Sequence, residues 1–147
     1  MSDDLDRLVQ DHFRSPRRGT GERDVLLRVE GHNPLCGDWV CIALGEVNGK
    51  LEFWQQAQGC SLSKAAASIA CEVLTGCEDQ VIADQVTRLQ RVLKGQSDDT
   101  LTPEALAILG TMKDYPVRRK CVSLAFDTIG RAILQYREQC REKKEGP

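Results

Sequence analysis

"WVCIALGEVNGKLEFWQQAQGC" (Trp39–Cys60) is the stretch whose reading decides the fold. Two apolar-rich runs, "WVCIALGEV" and "KLEFWQQAQ", flank Asn48–Gly49. Asn-Gly between such runs is the strongest short-range hairpin signal, because a tight type I′ turn needs positive φ at both central residues. At Gly59 the pattern changes. Leu62, Ala65, Ala66, Ile69, Val73 and Leu74 then fall on one stripe with a period of about 3.6, which predicts a helix ending at Gly76. A hairpin that turns sharply into a helix is the centre of the expected fold.

Upstream, from Asp24, Val25, Leu27 and Val29 alternate with Leu26, Arg28 and Glu30, which predicts a third strand and an antiparallel meander through the turn "NPLCGD" (Asn33–Asp38). Before it, "LDRLVQDHFRS" sets Leu5, Leu8, Val9 and Phe13 at helical spacing, with Asp3 or Asp4 as cap and Pro16 and Gly19 as stop; "SPRRGTGER" reads as a loop. Downstream, a second helix is expected from about Asp79 to Lys94, closed by Gly95. The polar link "QSDDTLTPEA" ends in Thr102-Pro103-Glu104, an N-cap followed by proline at the first helical position, and predicts a short helix to about Met112. Pro116 punctuates. The last helix carries Cys121, Leu124, Ala125, Thr128, Ile129, Ala132, Ile133 and Tyr136 on one face, and residues 141–147, "REKKEGP", are expected to fray. Strands first and helices after make an α+β layout. The expectation is one domain over residues 1–147, a three-stranded antiparallel sheet packed against a layer of helices.

Composition agrees with a soluble globular chain: 147 residues, 41% hydrophobic and 29% charged. A net charge of −2 argues against a nucleic-acid coat, which needs a basic excess. No apolar run approaches the ~18–20 residues of a membrane span. The opening "MSDDLDRLVQ" is acidic and amphipathic, unlike a signal or transit peptide, so the expected compartment is the cytoplasm. Seven cysteines without an export signal argue against a disulfide framework, and no pair forms a CxxC.

Which thiols do chemistry, and which fill the core? Cys36, Gly37 and Asp38 put a soft thiolate, a flexible residue and a hard carboxylate side by side, a trio for which a core strand has no use. Cys60 follows Gly59 at the strand-to-helix junction, and Cys121 sits near the start of the last helix in "RRKC". Unpaired backbone N–H groups and the macrodipole at a helix start favour thiolate. For Cys121 spacing alone favours core packing over a metal ligand, since it shares an apolar stripe with Leu124 and Ile129. Together Cys36, Asp38, Cys60 and Cys121 would make one tetrahedral site suited to zinc, or to iron in a cluster. Such a site carries excess negative charge, beside which Arg118, Arg119 and Lys120 are easier to understand than at a bare helix start.

The motifs "DHFRSPRRGTG", "NPLCGD", "GCSLSKAAAS" and "RRKC", in this order, resemble the U-type iron–sulfur cluster assembly family: IscU, the N-terminal domain of NifU, and SufU. The resemblance runs from about Leu5 to Tyr136 and implies a SufE/NifU-like fold with a metal site at one end. IscU-like members usually carry histidine directly before the third cysteine; here Lys120 stands there, and a long segment separates Cys60 from Cys121, both of which look like SufU. The SufU resemblance implies Zn²⁺ held by Cys36, Asp38, Cys60 and Cys121, and a PLP-dependent cysteine desulfurase of the SufS type as partner. It also implies Cys36, on the glycine-containing turn, as the catalytic sulfur acceptor. Arg118 matches the basic residue of "RxxC"; Arg118, Lys120 and His12 are candidates for supporting the site or contacting the partner. The chain would then be a zinc-dependent sulfurtransferase, with downstream cluster assembly or acceptor proteins as further partners. The alternatives are a non-enzymatic scaffold that assembles a [2Fe–2S] cluster on the same ligands, and a module in which structural zinc only folds the domain. Exposure separates the last from the others. Cys41, Cys71, Cys77, Cys140 and His32 are left outside the site.

Overall fold

The structure is a computed structural model that describes residues 3–19, 25–98, 101 and 103–145. Helix α1 spans Asp3–Arg14 and strands β1, β2 and β3 span Leu27–Asn33, Asp38–Val47 and Lys50–Gln58. Helices α2 (Ser61–Leu74), α3 (Asp79–Leu93) and α4 (Glu104–Gly110) follow, then a 3-10 turn over Thr111–Asp114 and the long helix α5 (Pro116–Glu145).

The sheet is the expected antiparallel meander in the order β1-β2-β3. Val47 pairs with Lys50 across Asn48–Gly49, whose φ values of 55° and 81° are those a type I′ turn demands. Asn33 pairs with Asp38 across the other hairpin, so "NPLCGD" is a hairpin tip. On β1, Leu27, Val29 and Gly31 face inward and Arg28, Glu30 and His32 outward, as alternation requires. Gly31 lets α5 cross close by, because a Cβ there would overlap the Thr128 hydroxyl.

Helices cover one face of the sheet. Helix α2 packs on β3, α5 on β1 and β2, α1 on α2, and α3 on α5. The helix after Gly59 is buried on nearly every side from Ala65 to Cys71 rather than along one stripe. Its alanines and Ser68 allow the sheet, α1 and α5 to approach it together, which a bulkier helix would prevent. His12 is buried at the α1–α2 contact, where Nδ1 lies 2.8 Å from the Ser68 hydroxyl; the Arg17 backbone N–H donates to the same oxygen.

Several boundaries differ from the sequence reading. Asp3 and Asp4 lie inside the first turn of α1, where their charge favours the helix N-terminus. Pro116 is the first residue of α5, a position where its missing N–H costs nothing. Helix α4 stops at Gly110 and a 3-10 turn continues to Asp114. Helix α5 runs on through Arg141–Glu145, where a frayed tail was expected. The expected start of β1 at Asp24, the Thr102 cap and residues 146–147 lie outside the described residues, as do residues 20–23 of the "SPRRGTGER" loop. The described part of that loop lies along the edge of β3: the Gln55 N–H donates to the Arg18 carbonyl at 2.7 Å, and Arg18 stacks over Trp54 at 4.8 Å. It thereby shields an edge strand that would otherwise offer unpaired backbone groups.

Candidate metal centre

Three chain segments meet at one end of the sheet: the β1–β2 hairpin tip, the β3–α2 junction and the first turns of α5. At the tip the Gly37 N–H donates to the Asn33 carbonyl at 2.9 Å and the Leu35 N–H to the Asn33 side chain at 3.2 Å. Gly37 has φ 69° with nothing near its missing Cβ, so it is needed for backbone conformation alone. The tip holds Cys36 exposed and delivers Asp38, the first residue of β2, fully buried.

The junction supplies the second part. Cys60 is the N-cap of α2, and its Sγ accepts from the Ser63 N–H at 3.4 Å. Its own backbone N–H donates to Asp38 Oδ1 at 3.0 Å. That bond depends on Gly59, which has φ 128° and lies so close that a Cβ would overlap Asp38 Oδ1 and stand 2.9 Å from Asp38 Cα. Two glycines of the motifs thus do different work: one shapes the tip, and the other lets two chain segments touch.

Helix α5 brings Cys121, buried, with its Sγ 3.7 Å from the Val117 carbonyl. Because α5 begins at Pro116, Cys121 sits more than a turn inside it. The helix-terminus argument therefore does not reach Cys121, whose thiol is pushed up by burial and by the neighbouring Cys60 and Asp38.

The ligand atoms converge. Cys36 Sγ, an Asp38 oxygen and Cys121 Sγ all lie within 4.8 Å of one another, and this is a possible metal-binding group among the described residues. Asp38 Oδ2 accepts from Cys36 Sγ at 3.1 Å and from Cys60 Sγ at 3.7 Å. Tetrahedral zinc with bonds of about 2.0–2.3 Å separates its ligand atoms by roughly 3.5–3.8 Å, so small side-chain adjustments would seat an ion. Cys60 Sγ stands outside that group of three, 3.7 Å from Asp38 Oδ2; with it the donor set would be three soft thiols and one carboxylate whose other oxygen is already held by a backbone N–H, a set that suits zinc. Burial pushes the Asp38 carboxyl up. The Cys60 N–H and the thiols of Cys36, Cys121 and Cys60 outweigh it and leave the pKa below the usual value. The Cys36 thiol is pushed up, first by donating to Asp38 and then by burial. A divalent cation is what would replace these thiol protons.

The other residues singled out in the sequence lie apart. Arg118 and Lys120 are exposed on the first turns of α5, and no contact joins either to a ligand atom among the described residues. Arg119 reaches the Lys113 carbonyl at 3.4 Å. His12 is in the α1–α2 interior, not on an outer face. His32 is exposed on β1 opposite Trp39. Cys71 is core, Cys41 and Cys77 are half-buried, and Cys140 lies far along α5. Sequence reasoning missed Ser63, whose N–H donates to the Cys60 thiol that caps it, and the exposed residues Leu35 (81% exposed) and Val117 (71%). Leu35 directly precedes Cys36 and Val117 lies one helical turn before Cys121, but only exposure in the fold marks them.

Comparison with known proteins agrees with this arrangement. The family model described as "NifU-like N terminal domain" matches residues 5–143. A protein of Thermotoga maritima named iron–sulfur cluster assembly scaffold protein IscU is 27% identical over 111 residues, covering 75% of this chain and 78% of its own. A protein of the same name from Streptococcus pyogenes serotype M1 is 27% identical over 129 residues, 86% of this chain and 80% of its own. Among solved structures, a candidate iron–sulfur cluster assembly scaffold protein for the SUF system from Fervidobacterium islandicum AW-1 superposes with a TM-score of 0.79 at 21% identity, covering 90% of this chain and 96% of its own. The N-terminal part of a NifU-like protein from Brucella abortus does so with a TM-score of 0.79 at 20% identity, covering 92% and 96%. At these identities the structural likeness speaks for the fold, and the family model, matching nearly the whole length, decides membership: the chain belongs to the NifU-like N-terminal domain family of U-type iron–sulfur cluster assembly proteins.

Proposed function

We propose that this chain is a zinc-binding sulfur acceptor that serves a PLP-dependent cysteine desulfurase of the SufS type in iron–sulfur cluster assembly in the cytoplasm. The observation that carries the reading is the uneven exposure of the site. Asp38 and Cys121 are buried, whereas Cys36 and Cys60 are exposed, Cys36 at a hairpin tip and Cys60 at the N-cap of α2. A purely structural zinc site is closed on all sides. A transfer site must offer one ligand to a partner, and Cys36 is the ligand that can leave, because Cys121 lies inside α5 and Cys60, though exposed, is tied to α2 as its N-cap and to Asp38 through its backbone N–H.

Cys36, Asp38, Cys60 and Cys121 would hold the metal, and zinc supplies charge that keeps the thiols deprotonated. Asp38 is fixed through Oδ1, which leaves Oδ2 directed at the thiols. In the transfer step the Cys36 thiolate attacks the terminal sulfur of the desulfurase persulfide. A bond forms between Cys36 Sγ and that sulfur, the persulfide S–S bond breaks, and the desulfurase cysteine leaves as thiolate. One sulfane sulfur moves and no external oxidant or reductant is needed. Leu35 and Val117 flank the opening as apolar contacts for the docked partner, and Arg118 and Lys120 add positive charge to the same rim.

A second reading has its own support. The relatives from Thermotoga maritima and Streptococcus pyogenes are named scaffold proteins. On that reading the same four residues hold a [2Fe–2S] cluster under assembly and no sulfur stays on Cys36. Elemental analysis of protein purified without added metal, with its absorbance spectrum, separates the two: stoichiometric zinc without visible bands supports the acceptor, and brown protein supports the scaffold. Incubation with a SufS-type desulfurase and cysteine should add sulfur to Cys36 by mass spectrometry and raise desulfurase turnover, and Cys36→Ser should lose both. Persulfide on Cys41, Cys71, Cys77 or Cys140 would overturn the mechanism.

A further inference from the structure

Helices α3 and α5 leave a groove between them that follows most of α5. Three adjoining cavities compose it. The first, about 440 Å³, lies among Lys94, Arg119, Lys120, Ser123, Gln90 and Asp127. It shares Gln90 and Asp127 with the second, about 480 Å³, which continues past Val86 and Arg131 to Leu134 and Arg137. That one shares Leu134 and Arg137 with the third, about 550 Å³, which adds Asp79, Cys140 and Arg141. From Lys120 to Arg141 the groove follows roughly 32 Å of helix at about 1.5 Å per residue.

Its charge runs against that of the molecule. Lys94, Arg119, Lys120, Arg131, Arg137 and Arg141 face only Asp79 and Asp127 as carboxylates, on a chain whose net charge is −2. Arg137 is paired with Asp79 at 2.9 Å, and Arg131 donates to the Glu30 carbonyl at 2.8 Å. Among the described residues, Lys94, Arg119, Lys120 and Arg141 have no carboxylate within ion-pair distance. Leu134 lies in the middle, 64% exposed. Cations at both ends and an apolar centre, on a groove too long for a small molecule, match the helix-in-groove mode of peptide recognition.

We infer that the α3–α5 groove is a docking site for an acidic amphipathic helical segment of a partner protein, with apolar side chains on Leu134 and carboxylates against Lys94, Arg119 and Lys120 at one end and Arg141 at the other. A second copy is a poorer occupant. Its acidic helix α1, with Asp3, Asp4 and Asp6 in the first turn, already buries Leu5 and His12 in its own core. The groove contains no ligand of the metal centre, and although Lys120 belongs both to it and to the rim proposed for the desulfurase, its test rests on Lys94, Leu134 and Arg141, which that rim does not include.

The test is an NMR titration of the full chain with a synthetic helical peptide of about 18 residues, about 27 Å long, carrying leucine on one face and glutamate on the other. The expected result is saturable binding in the micromolar range, with amide shifts confined to residues 86–94 and 119–141. Lys94→Glu, Arg141→Glu and Leu134→Asp should each weaken it at least ~10-fold with unchanged thermal unfolding, and a peptide with glutamine in place of glutamate should bind as weakly to the parent chain. The inference is overturned if the glutamine peptide binds equally, if folded variants keep parental affinity, or if the shifts map to α1. Tighter binding of a short DNA duplex would mark a general polyanion surface and also overturn it. So would self-association of the parent chain that Leu134→Asp abolishes, because the occupant would then be a second copy.

Discussion

Gly59→Ala tests how the centre is built. Residue 59 has φ 128°, and a Cβ there would overlap Asp38 Oδ1 and stand 2.9 Å from Asp38 Cα. Two costs follow. Holding a non-glycine residue in that backbone region costs about 1–3 kcal/mol. Pushing Asp38 away breaks the Cys60 N–H bond to its carboxylate, of the charge-assisted kind worth about 1.5–3 kcal/mol. Because backbone relaxation relieves both together, the expected loss is ~2–4 kcal/mol rather than the full sum. Against a total of about 5–15 kcal/mol the protein stays folded at room temperature. At about 2–4 °C per kcal/mol, its unfolding midpoint falls by roughly 4–16 °C. Gly37→Ala is the control: φ is 69° but nothing lies within 4 Å of the added Cβ, so only the left-handed backbone cost of about 1–2 kcal/mol applies. Circular dichroism melts of metal-free protein measure stability, and competition with a chromophoric chelator measures zinc affinity. Gly59→Ala should lose more of both than Gly37→Ala, and Asp38→Ala should partly mask the Gly59 effect, since the overlapping oxygen is gone. Equal losses at the two glycines, or a Gly59→Ala protein that binds zinc as the parent does, would refute the claim that close approach at Gly59 positions the carboxylate.

Asp38→Ala itself should weaken zinc binding while leaving the far-ultraviolet spectrum largely intact; unchanged metal retention would remove Asp38 from the site. Chelation should lower the melting temperature clearly without abolishing the helix signal, because metal binding is coupled to folding but a large apolar core remains. An unchanged melting curve, or complete unfolding, would contradict this. His12 gives a pH dependence outside the centre. Burial first, and then Arg17, hold its pKa below the ordinary value of about 6.5, while Glu72 opposes them. The unfolded chain therefore binds the proton more readily. This contribution to stability is complete above pH ~6.5 and is lost as pH falls from there towards the folded pKa. Urea titrations at several pH values should show that slope, and His12→Gln should flatten it.

The amino-acid sequence by itself determined the backbone elements and the chemistry on offer. Asn48–Gly49 determined the hairpin, since few other dipeptides take positive φ twice. Alternation on β1 determined which residues face the helices. The four motifs in order determined the family, and with it the residues that form the candidate centre. What the sequence could not determine were distances between segments remote in the chain. That Gly59 lies against Asp38 depends on β2 and β3 being paired in one register. That Cys121 is buried inside α5 depends on where the helix starts, and Pro116, which reads as a break, in fact begins it. The all-round burial of α2 appears only when the sheet, α1 and α5 close on it, because alanine and serine are compatible with either surface or core. The α3–α5 groove is likewise a tertiary product. Its cations come from two helices separated by the α4 region, and each helix alone reads as an ordinary charged face; only their packing turns those two faces into one surface.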